Sequence, residues 1–273
     1  MTESITIMGI RIKKYPASQD SEAEKHCIYL DNGFCLSCDC NACEGGYLIN
    51  EWREELRCGN SVSGPKECDC VQKARNQKYL RDSGLNVLVE RCTFDSFLTE
   101  TSWQAAVKEK ALKYSEEFKK KCFFISGQSG SGKTHICTAI CNIIMNNGNR
   151  LKYFQYVRDG TKLKQLITEQ NLYEKEISEL ITVPYLYIDD LFKGEISPAD
   201  LRLVYEIING RYLAGKPFII SSEHSLAFIR DLRGGDGEAI AGRIYECCSQ
   251  GKYCLELSGA EKNQRFSNKL LNK

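Results

Sequence analysis

The sequence predicts an α/β protein: a mostly parallel β-sheet flanked by helices and built around a phosphate loop, preceded by a small cysteine-rich module. Three observations carry this. The octapeptide Gly127-Gln-Ser-Gly-Ser-Gly-Lys-Thr134 fits G-x-x-x-x-G-K-[ST] and stands between an apolar run, Cys122-Phe-Phe-Ile-Ser126, and a helix-periodic stretch, 135–145. A second apolar run, Val183-Pro-Tyr-Leu-Tyr-Ile-Asp-Asp190, ends in two carboxylates, as a buried parallel strand reaching a ligand site does. Eight of the 15 cysteines fall between residues 27 and 70.

With 273 residues the chain is long enough for one α/β core and a small module. Its net charge of +1 announces no nucleic-acid partner by itself. Mean hydropathy is −0.38 and no run approaches 18 apolar residues, so no membrane span is expected. The first 19 residues carry Arg11, Lys13, Lys14 and Pro16 and do not read as a secretory signal, which points to a cytoplasmic, reducing setting.

Along the chain, residues 1–26 form a polar segment expected to be loosely ordered. Residues 27–85 hold the cysteine module and a basic helix, 71–82, with Lys73, Arg75, Lys78 and Arg81. Residues 87–90 read as a linker into the second domain, which spans 86–266 and leaves a tail, 267–273. There a helix over 102–120 precedes the strand 122–126 and helix 133–147. Then come strand 151–156, a polar helical stretch 159–181, strand 184–189, helix 198–213 and strand 217–221. A helix near 224–232, a glycine-rich turn at 234–237, a helix 237–248 and a last strand 252–257 close the series. Alternation of this kind implies βαβ units and a parallel sheet.

The chemistry follows from residue types. Gly127, Gly130 and Gly132, with Ser129 and Ser131, let backbone N–H groups turn inward around a polyphosphate where a Cβ would block the approach. The following helix, opening at Lys133, Thr134 and His135, adds the positive end of its dipole. Lys133 reaches the β- and γ-phosphates, and the Thr134 hydroxyl ligates Mg²⁺. Asp189 at the end of the acidic strand holds Mg²⁺, and Asp190 orients or deprotonates the attacking water. Ser222, ending the next strand, can touch the γ-phosphate or that water; Glu223 beside it is the other candidate.

In a reducing compartment a cysteine cluster signals a metal rather than disulfides. Cys40-Asn-Ala-Cys43 has the two-residue gap that turns both thiolates to one ion, and Cys68-Asp-Cys70 completes a tetrahedral Zn²⁺ site. Cys35 and Cys38 offer the same gap, and Cys27, Cys58 or His26 leave room for a second ion. Cys122, Cys137, Cys141, Cys247, Cys248 and Cys254 lie on apolar patterns and read as small core residues. Lys152, Arg158, Lys162 and Lys164 are candidates for a nucleic-acid surface or a solvated face.

These segments resemble the AAA+ ATPases of the DnaC/DnaI helicase-loader family, which also includes IstB-like transposition helpers. The resemblance rests on Gly132-Lys-Thr-His135 in its extended loop, Ile188-Asp-Asp-Leu-Phe-Lys193 followed by Tyr205-Glu-Ile-Ile-Asn-Gly-Arg-Tyr212, and Glu238-Ala-Ile-Ala-Gly-Arg-Ile-Tyr-Glu246. Cys92-Thr-Phe-Asp-Ser-Phe97, Asn263-Gln-Arg265 and the cysteine module add to it, over residues 35–266. The resemblance implies ATP and Mg²⁺ as cofactors, with ATP hydrolysed between self-associating subunits. Its implied partners are a hexameric, DnaB-like replicative helicase, gripped by the N-terminal module, and single-stranded DNA, onto which the helicase is placed. Arg243 would be the arginine finger for a neighbour's γ-phosphate, and Phe94 and Phe97 would pack near the adenine. Gly242 stands where the family often has serine, Gln264 where it often has tyrosine, and Glu223 where many members have asparagine. No helical lid domain is expected after Arg265. The alternatives are an IstB-like transposition helper and a nucleotide-gated adaptor without significant catalysis.

Overall fold

Continuous apolar runs become the centre of a parallel sheet in the computed structural model, which describes residues 85–257 apart from 148, 233 and 234, together with Gly259. Before residue 85 it describes only the short strands named below. The chain divides into two units, Met1–Asn76 and Gln77–Lys273.

In the first unit, four antiparallel strand pairs are described. Glu3–Ile7 pairs with Ile10–Lys14, Cys27–Tyr29 with Cys35–Ser37, Cys43–Glu44 with Tyr47–Leu48, and Glu54–Glu55 with Ser61–Val62. The first pair falls where a loosely ordered segment was expected. The alternation of Ile5, Ile7, Ile10 and Ile12 with polar residues is the period-2 signal that accounts for it. Of the expected zinc ligands, Cys43 lies in a strand, opposite Leu48. Cys40, Cys68 and Cys70 lie outside the described residues, as do the basic stretch 71–82 and Asn263-Gln-Arg265.

The second unit holds five strands: β1 (Phe123–Gly127), β2 (Leu151–Gln155), β3 (Tyr185–Leu191), β4 (Phe218–Ser222) and β5 (Cys254–Leu257). All pair in parallel, in the order β2-β3-β4-β1-β5. Every residue of β1 and β4 is buried, as central strands covered on both faces require. The helices are α1 (Asn86–Arg91), α2 (Ser102–Glu117), α3 (Lys133–Asn146), α4 (Tyr156–Gln165), α5 (Gln170–Thr182), α6 (Pro198–Leu213), α7 (Leu226–Arg230) and α8 (Asp236–Cys247).

Two expectations are corrected. The stretch 87–90 is helix α1 rather than a linker: Leu85 is fully buried, and Asn142 of α3 donates to the Val89 carbonyl at 2.9 Å. The polar stretch 159–181 is two helices joined by a 3₁₀ turn, Leu166–Thr168. Its halves have different anchors. Lys164 pairs with Asp200 at 2.7 Å and Tyr156 donates to the same carboxylate at 2.8 Å, fixing α4 to the start of α6. Ile177 and Leu180 bury α5 against the core.

Helix α6 begins at a capping box, Ser197 with Asp200, and Pro198 occupies its first turn, where no N–H is needed. Near its end Arg211 is fully buried and donates to carbonyls of Leu180, Val183 and Pro217. This arginine ties the end of α5 to the starts of β3 and β4, and burial lowers its pKa to about 10. Cys122, Cys137, Cys141 and Cys248 are buried as expected; Cys247 and Cys254 are half-buried.

Candidate functional site

The loop 127–132 leaves β1 with three glycines at positive φ: Gly127 at +142°, Gly130 at +79° and Gly132 at +86°. A Cβ on Gly127 would meet the Leu257 carbonyl oxygen at 2.3 Å, and one on Gly132 would meet Phe97 at 3.1 Å. The loop therefore requires glycine at both, for conformation and for space. Ser131 is fully buried and donates to the Gln128 carbonyl at 2.9 Å, closing the turn.

Lys133 opens α3. Its Nζ folds back onto the carbonyls of Gly127 and Gln128, at 2.7 and 2.8 Å, inside the cradle. Burial lowers its pKa, while the charges of Glu223 and Asp190 act to raise it. His135 Nε2 lies 2.8 Å from the Thr93 carbonyl, and its ring meets Phe97 edge-on at 5.2 Å. Segment 92–97 is thereby fastened to the first turn of α3, and Phe94 and Phe97 are buried.

The two acids at the end of β3 have different surroundings. Asp189 is buried and accepts four hydroxyl hydrogen bonds. Ser221 (2.5 Å), Tyr187 (2.6 Å) and Thr134 (3.3 Å) donate to Oδ1, and Tyr153 (3.0 Å) to Oδ2. Burial is the main cause that pushes the Tyr187 and Tyr153 phenols far above their ordinary range, with Asp189 adding to it. Asp190 stands within a register shift between Ile188 and Leu191, in left-handed backbone with φ +55°, and its N–H donates to Ser221 Oγ at 3.0 Å. Such a conformation costs about 1–3 kcal/mol and persists only where its surroundings hold it. Phe192, also left-handed at φ +60°, is fully buried and packs its ring against Tyr156, which anchors the turn.

Asp190, Lys193 and Glu223 face the loop residues Ser129, Gly130 and Gly132 and the helix residues Lys133, Thr134 and His135 across a cleft of about 280 Å³. Ser222 points elsewhere: its hydroxyl donates to the Leu191 carbonyl at 2.8 Å and accepts from the His224 N–H at 3.1 Å. Between the two candidates at the end of β4, the cleft position is held by Glu223. Sequence reasoning missed Ser221, Tyr153, Tyr187 and Lys193. The tyrosines carried a signal: Tyr187 lies two residues before Asp189, on the same strand face, and Tyr153 pairs with Tyr187 in register. Ser221 and Lys193 carried none, because a bulge and a turn bring them in.

The residues present fit a nucleoside triphosphate with Mg²⁺. The cradle excludes Cβ atoms, a lysine waits within it, and Thr134 and Asp189 offer two hard oxygens 3.3 Å apart. Arg243 does not line this cleft. On α8 its Nε donates to Asn209 Oδ1 at 2.9 Å, and its guanidinium lies 5.2 Å from the Tyr205 ring and 5.6 Å from the Tyr212 ring. Three of the four cations weighed for a nucleic-acid surface pair with acids: Lys152 with Glu179, Arg158 with Asp159 and Lys164 with Asp200. Among the described residues no helix is long and apolar enough to cross a membrane, and no group of three or more His, Cys, Asp or Glu is placed to hold a metal ion.

Comparison with known proteins agrees with this geometry. The family model described as "IstB-like ATP binding protein" matches residues 67–244, more than half of the chain. The phage-like element PBSX protein XkdC of Bacillus subtilis is 29% identical over 94% of both chains. The replicative helicase loader DnaC of Escherichia coli K12 is 26% identical over 63% of this chain and 70% of its own. A crystal structure of the DnaC helicase loader, 24% identical, superposes with a TM-score of 0.53 over 61% of this chain and 96% of that one, which supports the AAA+ P-loop fold. The chain belongs to the IstB-like ATP-binding protein family and is a DnaC/DnaI-like AAA+ member of it.

Proposed function

We propose that this chain is an ATPase that loads a hexameric, DnaB-like replicative helicase onto single-stranded DNA, with ATP bound and hydrolysed between neighbouring copies. The observation that carries the catalytic part is the union, around one cleft, of the glycine loop, Lys133, Thr134 and Asp190, with buried Asp189 bonded to Thr134 at 3.3 Å. Lys133 would hold the β- and γ-phosphates and Thr134 and Asp189 the Mg²⁺, which supplies charge neutralisation at the phosphates. Asp190, outside the hydroxyl cage that occupies Asp189, is the carboxylate available to orient water. Arg243 would complete the site of an adjacent copy. The helicase reading rests on the similarity to loaders.

The N-terminal unit is the proposed helicase grip, folded around Zn²⁺ bound by Cys40, Cys43, Cys68 and Cys70. A module of this size with few large apolar residues draws much of its folding free energy from the ion. Chelation is therefore expected to make residues 27–75 protease-sensitive while the ATPase unit stays folded. A module that stays resistant after metal stripping would remove the zinc assignment.

The deciding experiment is co-elution with the host's replicative helicase, with and without ATP·Mg²⁺, measured by size exclusion with mass detection. A complex lost on deletion of residues 1–85 supports the loader. No complex under any nucleotide condition favours the alternative, an IstB-like transposition helper.

A further inference from the structure

We propose that Lys193 is a γ-phosphate-responsive positioning residue: it holds the catalytic carboxylate Asp190 until ATP binds and then transfers to the terminal phosphate, releasing Asp190 to the attacking water. This rests on the nucleotide-site reading above and deepens it.

The cleft contains two lysines and two carboxylates, and their pairing is uneven. Lys133 is buried and faces two loop carbonyls. Lys193 Nζ lies 2.7 Å from Asp190 Oδ2 and 3.5 Å from Glu223 Oε1, with two-fifths of its side chain exposed. It therefore joins the ends of β3 and β4 across the mouth of the cleft. Its flexible stem leaves the ammonium free to reorient, whereas its backbone is fixed. The Lys193 N–H bonds the Asp190 carbonyl at 3.1 Å, and the buried Phe192 pins the turn from below.

A triphosphate entering this space brings charge that Asp190 and Glu223 repel, and the cleft's cations offset that repulsion alongside Mg²⁺ and the loop N–H groups. Lys133 serves the β- and γ-phosphates from within the cradle and pairs with neither acid at hydrogen-bond distance among its described contacts. Lys193 is the cation whose present partners are the two acids the phosphate opposes, so its transfer removes repulsion and frees Asp190 in one movement. A diphosphate lacks the terminal group that would draw Lys193 away, so the bridge should stay in place. Lys193 thus distinguishes ATP from ADP from within one subunit, in a chain where Ser222 is turned onto backbone.

The test is titration of the full chain with fluorescent ATP and ADP analogues in Mg²⁺, comparing wild type with Lys193→Ala, Lys193→Gln and Lys193→Arg and recording each melting temperature. Loss of one charge-assisted contact should weaken ATP binding by about tenfold while ADP binding stays within about twofold. Lys193→Arg should recover most of the ATP preference. Equal weakening for both nucleotides, or loss only in step with a falling melting temperature, would reduce Lys193 to a structural tie and overturn the proposal. A wild-type chain that binds neither nucleotide would sink the nucleotide-site reading itself. Lys193→Ala with an unchanged ATP-to-ADP ratio sinks only the role of Lys193.

Discussion

The nucleotide cleft and the α6–α8 face treat charge in opposite ways. In the cleft, cations and acids from three elements neutralise one another: Lys193 bridges Asp190 and Glu223, and both acids draw on Lys133. On the α6–α8 face Arg243 is held by the Asn209 amide, the Ala239 carbonyl and the rings of Tyr205 and Tyr212, none of which carries a charge. The face orients a guanidinium without neutralising it, as a site awaiting an anion from outside would. Among the described residues no arginine lines the cleft and Arg243 pairs with no acid, and the proposal of an active site spanning two copies of the chain rests on that complementarity.

The strongest way to break this comparison is Arg243→Ala. ATP affinity should hold within about twofold while assembly-dependent turnover falls roughly 1,000-fold. Phosphate release measured against protein concentration checks it, and normal turnover at high concentration would leave Arg243 as a structural residue. Lys133→Ala strikes the other half. Loss of its fixed charge should lower kcat/KM about 100-fold or more, in dilute and concentrated protein alike. Unchanged turnover there would remove the site assignment.

Between the two regions stands α6, which carries Tyr205, Asn209 and Tyr212 and holds Asp200 in its first turn. Burial alone would raise the Asp200 pKa, but hydrogen bonds from Lys164, Ser197 and Tyr156 outweigh it and lower the value to about 2. A depressed carboxyl pKa stabilises the fold above the unfolded-state value near 3.8, and the contribution fades as pH falls toward about 2. Asp200→Asn should therefore remove about 2 kcal/mol at pH 6 and flatten the loss of stability between about pH 4 and 2. Urea unfolding across that range is the measurement, and an acid limb as steep as in wild type would refute the linkage.

The smallest expected effect is the most local. Ser221→Ala deletes the donor to Asp189 and the acceptor of the Asp190 N–H. About tenfold slower turnover and a higher Mg²⁺ requirement should follow, with the melting temperature nearly unchanged. Ser222→Ala is the matched control, since its hydroxyl serves only backbone groups among its described partners. A larger turnover effect from Ser222 than from Ser221 would return the sensor role to Ser222.

Much of this protein was determined by sequence alone, because its main elements rest on local rules. A loop that must approach phosphates needs glycines, so Gly127 to Thr134 was legible as a cradle. A strand buried on both faces needs a continuous apolar run, so β1, β3 and β4 were legible, and with them the position of Asp189 at a strand end. Helix α1 escaped because six residues are too few to show a period, and the division of 159–181 escaped because Asp200, an anchor of one half, lies far along the chain. Only the tertiary structure decided which neighbours the site residues have. Sequence reasoning chose Ser222 at the end of β4, with Glu223 as its alternative, and had no signal for Ser221. The bulge in β3 chose Ser221 for the two acids, turned Asp190 into left-handed backbone and brought Lys193 against it. A one-residue shift in a strand reverses every side chain beyond it, and such a shift is set by packing between strands rather than by the residues of either strand alone.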